Sequence, residues 1–203
     1  MLGCSQTNNN TSIHIAFPSE YYQETLDGRM IVLISKNNET EPRFQLRDDA
    51  KTCQGFGLDV ENWQNDQDFL FDTKTASNYP LPNLSDLPSG EFYLQVLFHK
   101  YETFTRADGH IVKLPMDRGE GQQWNRAPGN LYSTPQKITI KDGKMSATQL
   151  KLDQKIPPIK EPEDSKYIKH IKIKSKLLSE FWGRDMYLGA HVLLPKVGIR
   201  IQM

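Results

Sequence analysis

Arg29-Met30-Ile31-Val32-Leu33-Ile34-Ser35 is the stretch on which the fold turns. Met30 to Ile34 is a continuous β-rich apolar run with no polar residue to face water, so it predicts a strand covered on both sides, in the middle of a sheet. Glu91 to His99, with Phe92-Tyr93-Leu94-Gln95-Val96-Leu97-Phe98, is likewise too apolar for an edge. Working outward, Ser12 to Phe17 places Ile13, Ile15 and Phe17 on one face, as a half-buried strand requires. Gln136 to Lys141 and Ala147 to Leu152 carry period-two patterns on either side of Asp142-Gly143, a dipeptide that tolerates positive φ at both positions and so predicts an antiparallel pair. Asn78-Tyr79-Pro80-Leu81-Pro82 and Asp86-Leu87-Pro88-Ser89-Gly90 read as loops or edge segments, because proline removes a ladder donor. About seven short strands with this spacing suit an all-β, immunoglobulin-like β-sandwich over residues 12–155.

Residues 156–166 hold three prolines among charged residues and read as a linker. Beyond it, 167–203 contains a strictly alternating stretch, His170 to Lys176, and a second strand-like run, Met186 to Pro195, with Ser179 to Asp185 turning the chain between them. That is a β-hairpin without a core of its own, and two strands alone are marginal in water. It either docks on the sandwich or begins another domain. Its Leu-rich strand, left unpaired, predicts self-association.

At the amino end, Met1-Leu2-Gly3-Cys4-Ser5 looks like the close of a bacterial lipoprotein signal, in which a small residue precedes the cysteine that takes lipid. Cys4 is thus a candidate lipidation site in a segment, 1–11, that would otherwise be a polar tether. A cell-envelope location is expected on that reading, with membrane contact only through the lipid. The longest apolar run, Met30 to Ile34, is far short of the roughly 20 residues that span a bilayer.

The 203 residues carry 25 basic and 25 acidic side chains, so no long-range field favours nucleic acid as a partner. The lysines at 166, 169, 172, 174 and 176 stand beside Glu161, Glu163 and Asp164 without interleaved aromatics, and read as a solvated strand face. Two cysteines give neither a disulfide framework nor a cysteine zinc site, and Cys53 in its Gly-flanked stretch reads as a small packed hydrophobe. The five histidines, at 14, 99, 110, 170 and 191, form no His-Glu-x-x-His or other close sequence pair, and Asp66, Asp68 and Asp72 lack the glycine-centred loop of a calcium site. No metal and no cofactor are expected. Nor is there a Gly-x-Ser-x-Gly elbow.

The segment from Asp117 to Asn130 is the most distinctive. It gathers Asp117, Arg118, Glu120, Gln123, Trp124, Asn125 and Arg126 among glycine and proline breaks. Arg118 and Arg126 could make forked hydrogen bonds to carboxylate or sugar oxygens while Trp124 offers an apolar plate. The competing reading is a long connection stabilised by internal ion pairs and a buried tryptophan, or docked against a further domain.

Six stretches carry a resemblance. Leu97 to Phe104, Arg106 to His110 and Leu114 to Ser133 are similar to the amino-terminal region of a bacterial family of α/β-hydrolase esterases, as are Tyr167 to Ile171, Leu178 to Arg184 and Tyr187 to Pro195. The resemblance implies a β-rich amino-terminal domain followed by a hydrolase domain whose first two strands correspond to residues 167–195. It also implies a later oxyanion loop, serine elbow, acid and histidine. Lys196 to Met203 matches no expected continuation, so the chain is expected to stop short of the catalytic part, and no catalytic residue carries over. The expected function is a non-catalytic accessory or interaction domain that would partner a hydrolase domain or a polar ligand. The alternatives are a fragment of an active secreted serine esterase and a ligand-binding surface lipoprotein.

Overall fold

A computed structural model describes residues 12–160 and 162–195, so the expectations at Cys4 and at 196–203 lie outside the described residues. The fold is all-β, with fifteen strands and one short α-helix among the described residues. It divides into two compact units, one built from the chain up to Glu102 with Leu114–Pro158, the other from Thr103–Lys113 with the chain from Ile159.

The first unit is a two-sheet sandwich. Its strands are β1 (Ile13–Ala16), β2 (Leu26–Ser35), β3 (Gln54–Trp63), β4 (Phe69–Phe71), β5 (Ser77–Tyr79) and β6 (Gly90–Lys100). A hairpin of β7 (Glu102–Thr105) and β8 (Ile111–Leu114) intervenes before β9 (Leu131–Tyr132), β10 (Gln136–Lys141), β11 (Lys144–Met145), β12 (Thr148–Lys151) and β13 (Gln154–Lys155). The larger sheet has the order β11-β10-β6-β2-β3-β5, with β9 and β13 attached to β6, and the smaller one the order β12-β1-β4. As its composition demands, β2 lies between β3 and β6, and β6 is not an edge.

Alternation along the strands sorts the apolar residues onto two faces. Met30, Val32 and Ile34 of β2 meet Phe56 and Val60 of β3, and Leu94, Val96 and Phe98 of β6, in one core with Ile13, Ile15, Phe71 and Leu150 of the smaller sheet. Trp63 sits at its end, edge-on to Phe17 at 4.6 Å and tilted to Phe98 at 5.3 Å. Ile31, Leu33 and Leu97 point the other way, and bury themselves with Cys53 and Ile156 beneath Leu46, Trp124 and Tyr132. The double cover expected of Met30–Ile34 is therefore a sheet on one side and loops on the other. Ile156, the first residue of the expected linker, belongs to this second core, and its N–H donates to the Asn130 carbonyl at 2.9 Å.

Two local expectations change. Asp142 and Gly143 do take positive φ, 50° and 69°, and turn β10 into β11. The run after them does not complete that hairpin. β12 leaves for the smaller sheet and pairs with β1 in parallel, Ile13 opposite Thr148 and Ile15 opposite Leu150, and Leu150 is buried there in the core between the sheets. In the second unit the turn near 179–185 is α1 (Lys176–Trp182), which connects β14 (Ile168–Lys174) to β15 (Tyr187–Leu193). Ser175 Oγ caps its start by accepting the Leu178 N–H, and Gly183, at φ 66°, takes the left-handed conformation that ends it. Here Phe104 of β7 packs edge-on against Trp182 at 5.5 Å, Arg184 covers the Phe104 ring at 4.1 Å, and the Ala107 N–H donates to the Phe181 carbonyl at 2.7 Å.

Gly28 sits where β2 crosses a register shift against β3, and a Cβ there would lie 2.3 Å from the His99 carbonyl oxygen and 2.7 Å from the Phe98 ring. Backbone on β6 cannot yield without breaking its pairing. Gly28→Ala is expected to destabilise the sandwich by about 1–3 kcal/mol, measured as a lowered urea midpoint.

Candidate functional site

β3 reads Gln54-Gly55-Phe56-Gly57-Leu58-Asp59, and its outward positions are Gly55, Gly57 and Asp59. Two of these lack side chains, so the outer face of the sheet has a floor of bare backbone between Ile31 of β2 and the edge strand β5. Glycine inside a strand commonly marks a place where something approaches the backbone closely. Around this floor lies a cleft of ≈ 370 Å³. Its aromatic lining is Trp124, Tyr79 and His99, its apolar lining includes Leu46 and Pro115, and Ser77, Asn78 and Gln122 contribute polar groups.

Arg29 is the charged residue of the cleft. Its guanidinium lies over Gly57, where a Cβ would stand 2.7 Å from Nε. It pairs with Asp59 at 2.7 Å and with the Ser77 hydroxyl, which itself donates to the Gly57 carbonyl at 3.0 Å. The charge is thus balanced within the sheet. His99 is half-buried, and burial, with the Arg118 guanidinium as a second cause, lowers its pKa from the ordinary 6.5 to about 4. At neutral pH the imidazole is uncharged. The cleft is therefore close to electroneutral, mostly apolar and aromatic, with a few convergent hydrogen-bonding groups, the composition common to small-molecule sites.

The loop that carries Trp124 is held by its own polar residues. Asp117 accepts the Gly119 and Gly121 N–H groups at 2.8 and 3.3 Å. Arg118 pairs with Glu102 and donates to the Pro128 carbonyl at 3.2 Å, while its N–H donates to Glu120 at 2.7 Å. Asn125 donates to the Arg43 carbonyl at 3.1 Å and Arg43 donates back to the Asn125 carbonyl at 3.0 Å. Arg43 is buried, stacked over the Tyr132 ring at 4.0 Å and paired with Glu41 at 2.8 Å. Arg126 reaches the ring of Phe44 at 5.6 Å, and the Gln123 carbonyl accepts the Arg126 N–H at 2.9 Å. Fully buried Asn130 closes the loop. Its Oδ1 accepts the Lys100 N–H at 3.0 Å and its Nδ2 donates to the Trp124 carbonyl at 2.7 Å.

Of the seven residues singled out in the sequence, Trp124 lines the cleft, and the other six do not. Arg29, Ser77, Asn78, Tyr79, His99 and Gln122 were not singled out. The Gly55-x-Gly57 pattern, read as the outward face of a strand, is the signal that could have pointed to them. Cys53 is buried, with its thiol 3.6 Å from the Pro42 carbonyl, and burial pushes its pKa up to about 12, which excludes a thiolate nucleophile at neutral pH.

Compared with family models, curated proteins and solved structures, the chain matches none of them.

Two outcomes follow from this geometry. Asn130→Leu strips the part-buried Lys100 N–H and Trp124 carbonyl of these partners, and is expected to cost about 1–3 kcal/mol in all in denaturant unfolding. For His99, the unfolded chain binds a proton near pH 6.5 and the folded one only near pH 4. Its contribution to stability is therefore fully present above pH 6.5 and is lost as pH falls toward 4. His99→Gln should flatten the stability profile in that window, and an unchanged slope would contradict the assignment.

Proposed function

We propose that this chain is a non-catalytic binding module, the accessory domain of an esterase of the α/β-hydrolase kind, and that the cleft beneath Trp124 is its recognition surface. The observation that carries the reading is the pairing of Trp124 and Tyr79 around a floor of Gly55 and Gly57, with Arg29 neutralised by Asp59 and His99 uncharged. Such a site suits an uncharged ligand with one flat apolar face and a rim of hydroxyl or carbonyl groups, of which a sugar ring is the natural class. The C–H face of the ring would lie on the aromatic side chains, while Gln122 and Ser77 address its oxygens. The esterase attribution rests on the resemblance of residues 97–133 and 167–195.

The test is a titration of tryptophan fluorescence with a panel of neutral oligosaccharides, taking the Trp124→Phe difference spectrum to separate Trp124 from the other two tryptophans. Gly57→Val is the informative variant. Valine suits a strand and displaces the flexible guanidinium of Arg29 rather than backbone, but fills the floor. Binding at least about thirty-fold weaker, in keeping with loss of a hot-spot contact of 2 kcal/mol or more, is expected with an unaltered circular dichroism spectrum. Binding untouched by both Gly57→Val and Trp124→Ala would remove the cleft from the account. Hydrolysis of nitrophenyl acetate well above the buffer rate, abolished by a point change in this chain, would remove the non-catalytic reading altogether.

A further inference from the structure

The five histidines are dispersed in sequence, but β14 and β15 bring two of them together. His170 and His191 are directly opposite each other in the antiparallel ladder. Their Nδ1 atoms are 2.6 Å apart, with the rings 4.5 Å between centroids and nearly perpendicular. A neutral imidazole has one N–H, so this contact is a hydrogen bond only when one ring carries its proton on Nδ1 and the other on Nε2. Both rings are at the surface of the second unit, and beside them on the same face Gly189 has open space where a Cβ would be.

We propose that His170 and His191 form a two-imidazole site for a divalent transition metal of the nickel and copper type. A metal about 2.0–2.1 Å from each nitrogen would subtend an angle of about 80° at the present separation. Opening the pair to about 2.9 Å gives the right angle of square-planar coordination, whereas a tetrahedral angle needs about 3.3 Å, so the geometry favours the metals that prefer tetragonal nitrogen sites. The Nδ1 proton of the donating ring moves through water to its own Nε2, so the neutral pair binds the ion without net proton loss. Solvent fills the other positions, for which the missing side chain at Gly189 leaves room. The Asp164 carboxylate accepts the His170 backbone N–H at 2.8 Å and pairs with Lys169 at 3.2 Å, so its charge is balanced beside the site, and the Lys172 ammonium lies 5.4 Å from the Tyr187 ring centroid.

Such a site has a structural effect, because it ties together the two strands of a two-stranded sheet. A ligand that binds the paired strands and not the opened ones stabilises them by mass action, in proportion to its concentration over its dissociation constant. The experiment is calorimetric titration of the full chain with Ni²⁺, alongside amide hydrogen exchange, for the wild type, His170→Gln, His191→Gln and the double variant. The wild type is expected to show one site that each single variant weakens by about 10²-fold, the advantage of a second ligand held in place on the same scaffold. At a Ni²⁺ concentration about 100 times the dissociation constant, exchange within Ile168–Lys174 and Tyr187–Leu193 should slow by up to about 100-fold in the wild type alone. Equal Ni²⁺ affinity in all four proteins would place the binding elsewhere and overturn the proposal. So would a wild type that binds none, or one whose hairpin exchange does not respond.

Discussion

Ile31, Leu33 and Leu97 point away from the companion sheet, yet they are buried. Burying them without a third sheet forces irregular chain into an apolar place, where its N–H and C=O groups lose water and need other partners. The rest of the first unit follows from that constraint. Asn130, Gln95 and Arg43 supply the partners as buried polar side chains. The Gln95 amide accepts the Arg43 N–H at 2.9 Å and donates to Glu41 at 2.7 Å and to the Ser133 carbonyl at 2.9 Å. Asn130 fastens the end of the Trp124 loop to β6. Networks of this kind rigidify when every member is satisfied and are costly when one is not. The loop is consequently a roof with fixed ends, and Trp124 can serve as a rigid wall.

Much of the sandwich was legible because its central strands are extreme in composition. Met30–Ile34 and Phe92–Phe98 have no polar face to offer, so only an interior position in a sheet accommodates them, and β1 alternates cleanly. β3 was missed for the converse reason: Gly55, Gly57 and Asp59 give its outward face no hydrophobic signature, although Phe56, Leu58 and Val60 alternate on the inner face. The destination of β12 was not legible either. Period two sets which side chains share a face and not which strand is the neighbour, so Leu150 fitted a hairpin on β10 as well as the ladder on β1. The cap signals of α1, Ser175 before the helix and Gly183 after it, were present in the sequence. They were outweighed by the strict alternation of His170 to Lys176 immediately upstream.

The site was legible in one residue and obscure in the others for a physical reason. Charged and aromatic residues crowded into a glycine-rich loop attract attention, and in this loop most of them are consumed in holding it still: Asp117 on two backbone N–H groups, Arg118 on Glu102 and Pro128, Asn125 on Arg43. The residues left facing open space are sequence-distant. Tyr79 and Ser77 come from an edge strand of three residues, Arg29 and His99 from the outward positions of two central strands, and no local pattern joins them. His170 and His191 make the same point in the second unit, since only the antiparallel register unites them.

The parallel ladder between β1 and β12 has a further consequence for how the protein comes into being on the ribosome. β1 is near the start of the chain, but its partner in that ladder is not synthesised until residues 148–151 have been added. Contacts so distant in sequence form late and slowly, and translation proceeds at about 5–20 residues per second. For several seconds Ile13 and Ile15 must therefore wait with β4 as their one neighbour in the sheet, exposing the kind of apolar surface on which chaperones act.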